Sequence, residues 1–133
     1  MNSAHRLLLR VTGGRVGWMV GEMPVLELTT TGRKSGQKRS TMLTAPLTPG
    51  DSYVVVASRG GDDTHPAWFL NLQADPHVTV VAKGGAPVRM IARVASPRER
   101  EAMWPQITSK YRNYAGYQKR TSREIPLVHL EPI

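Results

Sequence analysis

Apolar and polar positions alternate in short bursts through the first half of the chain. The runs "PVLELTTT" (24–31), "KRSTMLTAP" (38–46) and "SYVVVAS" (52–58) are rich in Val, Leu and Thr and bounded by Gly and Pro. Such runs predict the strands of an antiparallel meander. A basic, glycine-punctuated turn separates the first two, and Pro49-Gly50-Asp51 precedes the third. The period then changes. In "THPAWFLNLQAD" (64–75), Ala67, Leu70 and Ala74 share one face and Trp68 and Leu72 another. This predicts a short helix, with Thr64 as cap and Pro66 in its first turn. "PHVTVVA" (76–82) and "PVRMIARVA" (87–95) flank Lys83-Gly84-Gly85-Ala86, a hairpin signal. "SPRE" (96–99) is a capping box with proline at the first helical position. It opens a helix that Pro105 is expected to kink and that "KYRNYAGY" (110–117) is expected to continue. "IPLVHLEP" (125–132) predicts a last strand, with Pro126 at its edge or end. Near the start, "AHRLLLRVT" (4–12) suits a short amphipathic helix closed by Gly13-Gly14.

About six strands and three or four short helices, mostly in hairpin order, place the chain in a mainly β class with short helices (α+β). Closely spaced strands predict a small antiparallel barrel, its openings capped by the inserted helices. No βαβ rhythm supports a Rossmann fold. There is no internal repeat and no low-complexity segment.

Composition narrows the picture. The 133 residues are 40% hydrophobic, enough for one domain with a real core, expected to span 1–133. The role of segment 1–23 stays open. No apolar run approaches the roughly 18–20 residues of a membrane span. No secretory leader is recognisable, so a cytoplasmic location is expected. The absence of cysteine excludes disulfides, thiolate metal sites and a cysteine nucleophile. Eighteen Lys and Arg against ten Asp and Glu give a net charge of +8. That excess favours an anionic partner: a phosphorylated cofactor or substrate, a nucleic acid, or an anionic membrane surface touched peripherally.

Three constellations carry candidate chemistry. "TTTGRKSGQKR" (29–39) sets Arg33, Lys34, Lys38 and Arg39 around Gly32, Gly36 and Ser35. Backbone N–H groups at such a bend can cup an anion, and the side chains add charge. It lacks the Walker A spacing, and an exposed hairpin tip kept soluble by charge is the competing reading. "ASRGGDDTHPAW" (57–68) runs from a strand end through two glycines to a helix start. It is either a close backbone approach to a ligand or a surface loop. Tyr111, Tyr114 and Tyr117 fall within an arc of about 120° on a continuous helix. They either line a pocket or straddle core and surface. His5, His65, His77 and His129 show no metal-ligand spacing, and no metal site is expected. Neither Ser35 nor Ser58 sits in a nucleophile elbow. One Phe and no aromatic-rich strand motif weaken a nucleic-acid reading, although a basic barrel binding single strands stays open.

Taken together, "LTTTGRKSGQKR" (28–39), "VVVASRGGDDTHPAWFLNLQADPHVTV" (54–80) and "WPQITSKYRNYAGYQKRTSREIPLVHLEP" (104–132) resemble the deazaflavin-dependent nitroreductase family of actinobacteria. The resemblance covers roughly residues 24–132, and the joint order of the motifs is specific. It implies a split β-barrel of the FMN-binding, pyridoxamine-oxidase-like type. It implies coenzyme F420, an 8-hydroxy-5-deazaflavin with a polyglutamate tail, as cofactor, with FMN the lesser alternative. The implied reaction is hydride transfer from reduced F420 to a small electron-poor acceptor: a quinone, a nitroaromatic, or an activated enone or lactone. By resemblance, Arg33, Lys34, Ser35 and Arg39 hold the phosphate and anionic tail. Ser40, Thr41, Met42, Leu43 and Thr44 run along the tail and ring. Val56, Ala57, Ser58 and Arg59 meet the ring edge, and Ala67, Trp68, Phe69, Leu70 and Asn71 pack against the cofactor. Tyr111, Tyr114 and Tyr117 form the acceptor pocket, and one of them or Ser58 assists proton transfer. Relatives carry a proline and an aromatic residue where this chain reads "STMLTA", and "PMWY" where it reads "PAWF". The resemblance leaves monomer and homodimer open. A non-catalytic carrier of F420 or flavin on the same fold is the competing function.

Overall fold

The computed structural model describes strand Met19–Val20 and residues 23–133. The helix expected over 4–12 lies outside the described residues. The elements run β1 (Met19–Val20), β2 (Met23–Thr31), β3 (Lys38–Thr44), β4 (Tyr53–Val56), α1 (Ala67–Ala74), β5 (His77–Ala82), β6 (Val88–Val94), α2 (Pro97–Lys110), α3 (Arg112–Lys119) and β7 (Leu127–Pro132). A 3₁₀ turn, Arg59–Gly61, follows β4.

Among the described residues every strand pairing is antiparallel. Six strands form a curled sheet in the order β3-β2-β5-β6-β7-β4, and the short β1 adds to β2. Among the described residues β3 and β4 do not pair with each other, so they border a seam. A single bridge, Leu47 to Val54, draws the chain after β3 back against β4 at one end of it. Thus the expected six-stranded antiparallel barrel forms, but split rather than closed.

Two clusters bury the apolar pattern. Leu26, Leu28, Val55, Val78, Val80, Met90, Val128 and Leu130 fill the concave side, and α1 closes it with Phe69 and Leu72. On the opposite face, Val54, Val56 and Leu127 pack against Ile107 of α2 and Tyr114 of α3. Both faces of β4 and β7 are therefore covered. Their sequences are correspondingly near-continuous apolar runs rather than alternating ones. Between β5 and β6, Lys83 (φ 54°) and Gly84 (φ 69°) occupy the left-handed region that a primed turn requires.

Two helix boundaries differ from expectation. Thr64 does not cap α1: the N-cap is Pro66, without a side-chain bond, and the Thr64 hydroxyl is taken by the Arg59 guanidinium. α2 continues through Pro105, and the break falls at Tyr111 (φ −126°, ψ 88°). "KYRNYAGY" therefore begins a separate helix. Tyr111 ends one helix and starts the next, its N–H donating to the Ile107 carbonyl at 2.8 Å.

The capping box of α2 forms as expected. Glu99 N–H donates to Ser96 Oγ (3.2 Å), and Ser96 N–H donates to Glu99 Oε1 (2.8 Å). Arg93 joins Glu99 at 2.7 Å and grips both oxygens of Glu131 at 3.1 Å. The hydrogen bond from Arg93, then that from Ser96, holds the Glu99 carboxyl down at about 2. A carboxyl lowered by folding stabilises the protein above its unfolded pKa, and loses that contribution as pH falls through the folded value. Wild type should therefore lose thermal stability on acidification from about 4.5 towards 2. Glu99→Gln should flatten part of that slope, as read by melting curves across the range.

Candidate functional site

The basic turn is self-braced. Gly32 N–H donates to the Gln37 carbonyl and Gly36 N–H to the Gly32 carbonyl, both at 2.8 Å. Gly36 has φ 71°, and the Ser35 hydroxyl accepts from Gln37 N–H at 3.1 Å. Below it, Lys38 Nζ donates to Thr31 Oγ1 (3.0 Å), which directs its ammonium along the hairpin. All four cations, Arg33, Lys34, Lys38 and Arg39, are exposed.

Asn71 of α1 ties that turn to the barrel. Its Oδ1 accepts from both the backbone N–H (3.2 Å) and Nη1 (3.1 Å) of Arg33. Its Nδ2 donates to the buried Thr30 hydroxyl at 3.2 Å. A buried amide with three bonds orients Arg33.

Across the seam, β4 runs into Ser58 and the turn Arg59–Gly61. Arg59, Gly60 and Gly61 all have positive φ: 46°, 65° and 83°. Arg123, from the loop before β7, grips this segment from behind. Its guanidinium donates to the carbonyls of Asp62 (2.8 Å), Ala57 (3.2 Å) and Ser58 (2.8 Å). It also stands 3.1 Å from His65 Nδ1. Burial first, then Arg123, lowers the His65 pKa. The imidazole is thus neutral, with Nδ1 accepting from Arg123 and the proton on Nε2.

The tyrosines separate into three roles. Tyr114 is 6% exposed, and its hydroxyl lies 3.0 Å from Thr44 Oγ1 and 3.7 Å from Met23 Sδ. Burial raises its pKa, so the phenol stays protonated. Tyr117 is half-buried and stacks edge-on against Tyr114, ring centroids 6.0 Å apart. Tyr111 packs edge-on against the other side of Tyr114 at 6.4 Å, with Lys110 over its own ring. The helix break therefore undoes the single three-tyrosine face.

These parts surround one cavity of about 1410 Å³ along the seam. That exceeds the roughly 300–1,000 Å³ of a pocket for one small ligand, and suits a large cofactor plus an acceptor. Cations Arg33, Lys34 and Arg39 ring one end with Ser35, and Ser40 to Thr44 form the β3 side. Val56, Ser58 and Arg59 form the β4 side, and Ala67, Trp68, Leu70 and Asn71 come from α1. Tyr114 and Tyr117 complete it from α3. Ala57, Phe69 and Tyr111 do not line the cavity: Ala57 and Phe69 lie in the concave core, and Tyr111 packs on the α2–α3 cluster. Gly60, one of the two glycines expected to let the backbone approach a ligand, lines it, and the sequence reading misses Met23, Thr30, His65, Asn113 and Arg120, which also do. No group of three or more acidic, His or Cys side chains suited to a metal occurs among the described residues.

Residues 3–132 match the F420H(2)-dependent quinone reductase family. The chain belongs to this family. It is an F420-dependent oxidoreductase, and its cofactor is F420. An F420H(2)-dependent quinone reductase of Mycobacterium tuberculosis is 39% identical over 130 residues, covering 95% of this chain and 86% of its own. A solved F420-H2 dependent reductase is 38% identical with TM-score 0.69, covering 81% of this chain and 94% of that one. Another solved structure, described as a domain-swapped dimer, is 37% identical with TM-score 0.71 and covers 97% and 94%. A pyridoxamine 5'-phosphate oxidase homologue from Listeria innocua shares the fold at 14% identity and TM-score 0.58, covering 95% and 93%. The split barrel expected from the sequence is therefore the fold observed.

The reductase cavity fits its cofactor on chemical grounds. A tail bearing phosphate and carboxylates requires cations at one end, and three exposed ones stand there. A flat ring requires an apolar slot with a few polar groups. Met42, Leu43, Val56 and Trp68 give the lining apolar surface, and Ser58 and Thr44 add polar groups to it.

Proposed function

We propose that the chain is a single domain, 1–133, that reduces quinones, nitroaromatics and activated enones or lactones with reduced F420. The observation that carries this reading is one cavity lined by cations at the basic turn and by a buried and a half-buried tyrosine from α3. Arg33, Lys34 and Arg39 hold the phosphate and tail, while Ser35 braces their turn. Residues 40–44 and Val56 to Arg59 flank the ring, and α1 backs it through Trp68 and Leu70. Bound reduced F420 supplies the hydride. The chain's own residues orient the acceptor, exclude water and meet the negative charge that develops on the acceptor oxygen. Tyr117 is the hydroxyl placed for that contact, because the Tyr114 hydroxyl is engaged with Thr44.

This reading places the protein in the cytoplasm, with its basic surface touching anionic membranes peripherally. No described helix is long and apolar enough to cross a membrane. It also favours a homodimer over a monomer, on the strength of the relative described as a domain-swapped dimer.

The test is steady-state oxidation of reduced F420 with menadione, a nitroimidazole and an activated lactone, with reduced FMN and NADPH as control donors. Turnover with reduced F420 and none with the controls is expected. Binding without turnover on any acceptor would reduce the protein to a carrier. Tyr117→Phe should lower kcat about tenfold and leave cofactor Kd within about twofold, as removing one transition-state donor does. Tyr114→Phe should instead lower thermal stability by about 1 kcal/mol through its lost hydrogen bond.

A further inference from the structure

We propose that Arg123 is a positioning residue for the reductase reaction: it aims the backbone N–H groups of Ser58 and Arg59 into the cavity. This rests on the reading that the cavity holds reduced F420 and its acceptor. Arg123 does not itself line the cavity.

β4 pairing ends at Val56 opposite Leu127, and Ala57 N–H makes one further bond to the Pro126 carbonyl. Beyond it the chain turns through three consecutive positive-φ residues, the first of them non-glycine. Arg59, at φ 46°, is the strained residue, and the turn's own bonds, Gly61 N–H to the Ser58 carbonyl (2.9 Å) and Asp62 N–H to the Arg59 carbonyl (3.2 Å), are joined by a support from outside. Arg123 supplies it. One guanidinium takes the carbonyls of Ala57, Ser58 and Asp62, and the His65 ring as well. Among the described residues it forms no ion pair with a carboxylate. Asp62 and Asp63 act on it only through space, and burial opposes its charge.

Peptide units are planar and trans, so each N–H points opposite to its carbonyl. With the Ala57 and Ser58 carbonyls drawn back onto Arg123, the N–H groups of Ser58 and Arg59 point forward. Both residues line the cavity, and no group among the described residues accepts from either N–H. Ser58 is right-handed (φ −81°, ψ −37°) and Arg59 is left-handed, the alternation that converges successive N–H groups on an anion or carbonyl oxygen. A cation on the far carbonyls polarises the same peptide units and strengthens their N–H groups as donors. The pair therefore suits an oxygen of the ring or acceptor on which charge grows during hydride transfer.

The same loop is fastened to the tyrosine helix. Arg120 Nη1 donates to the Gly60 carbonyl (3.3 Å), and Gly61 abuts the Tyr117 backbone. Arg123 thus lies behind the junction of both halves of the site.

The experiment compares wild type with Arg123→Ala, Arg123→Gln and Arg123→Lys, and with Arg100→Gln as a structural control. Arg100 bonds Ile125 and Gln118 and lies over Trp104, away from the cavity. Amide hydrogen exchange of segment 57–65 is measured in the cofactor-free protein, cofactor Kd by titration, and kcat with menadione. All are read below the melting onset of each variant. For Arg123→Ala and Arg123→Gln the expectation is exchange at least tenfold faster in 57–65, with kcat about tenfold lower. Guanidinium ion should partly rescue Arg123→Ala, and Arg123→Lys should keep part of the activity. Arg100→Gln should lose stability but keep kcat per folded molecule. Should Arg123→Ala fold poorly, Arg123→Lys with its single ammonium still shows the lost carbonyl bonds as faster exchange. Exchange and kcat both within twofold of wild type would overturn the proposal, as would equal kcat loss in Arg100→Gln. If wild type itself neither binds nor oxidises reduced F420, the functional reading fails. The exchange arm then still decides whether Arg123 holds the wall.

Discussion

Gly61→Ala should be among the most damaging single-methyl additions to this protein, lowering its melting midpoint by about 10 °C. Two independent effects add. Gly61 has φ +83°, where an alanine is strained by about 1–2 kcal/mol. Its new Cβ would also stand 2.6 Å from the Tyr117 carbonyl oxygen, 2.9 Å from Tyr117 Cα and 3.0 Å from Arg120 Cβ. Two of those three atoms are backbone, so no rotamer change relieves the clash, and overpacking adds about 1–3 kcal/mol. The sum, about 2–5 kcal/mol, is a large share of a stability of about 5–15 kcal/mol. The structure can respond only by pushing α3 away from the Ser58 wall, so kcat should fall with stability. Gly116→Ala is the matched control. It lies in α3 with nothing within 4 Å of a new Cβ. It should raise helix stability by up to about 1 kcal/mol. Thermal melts of the two variants side by side test the prediction: an unchanged midpoint for Gly61→Ala would show that α3 and the wall are not in contact in solution.

Why was this contact not readable from the chain? Gly60-Gly61 announces close backbone approach, but not to what. The partner, Tyr117, is 56 positions away and contributes only backbone atoms there. Arg123 is hidden for the same reason: its acceptors are carbonyls 61 to 66 positions away, and a carbonyl has no sequence signature. His65 is weighed in the sequence only as a metal ligand. Its actual role depends on which ring nitrogen Arg123 occupies. The break at Tyr111 likewise carries no glycine or proline, whereas Pro105, the visible breaker, sits inside a continuous helix. What is legible is local. Strands bounded by Gly and Pro, the Ser96–Glu99 capping box and the positive-φ turn at Lys83-Gly84 depend on near neighbours alone. Family resemblance names more of the residues that line the cavity than composition does, because the order of three motifs encodes long-range geometry that no single motif contains.

The basic turn supplies the other large effect, and its cations should not behave alike. Arg33→Ala removes one charged donor from the cavity rim and also strips Asn71 of a partner. A hydrogen bond to a charged group is worth about 1.5–3 kcal/mol, so cofactor Kd should rise roughly 10- to 100-fold. Arg39→Ala lacks the Asn71 component and should raise Kd about tenfold. Lys38→Ala should leave Kd within about twofold, because its ammonium is directed to Thr31 at the base of the hairpin. Asn71→Ala should itself weaken binding without removing any charge, since Arg33 then loses both its backbone and side-chain anchor. The double variant Arg33→Ala/Asn71→Ala should consequently be less damaging than the sum of the singles, the mark of residues acting as a unit. Salt separates the two mechanisms. Loss of a tail-binding charge flattens the dependence of Kd on ionic strength, while loss of orientation leaves it steep. Arg33→Ala and Arg39→Ala should both flatten that dependence, and Asn71→Ala should not. Equal Kd values for the Lys38 and Arg33 variants would mean that the turn acts as a diffuse patch of charge rather than as a positioned clamp.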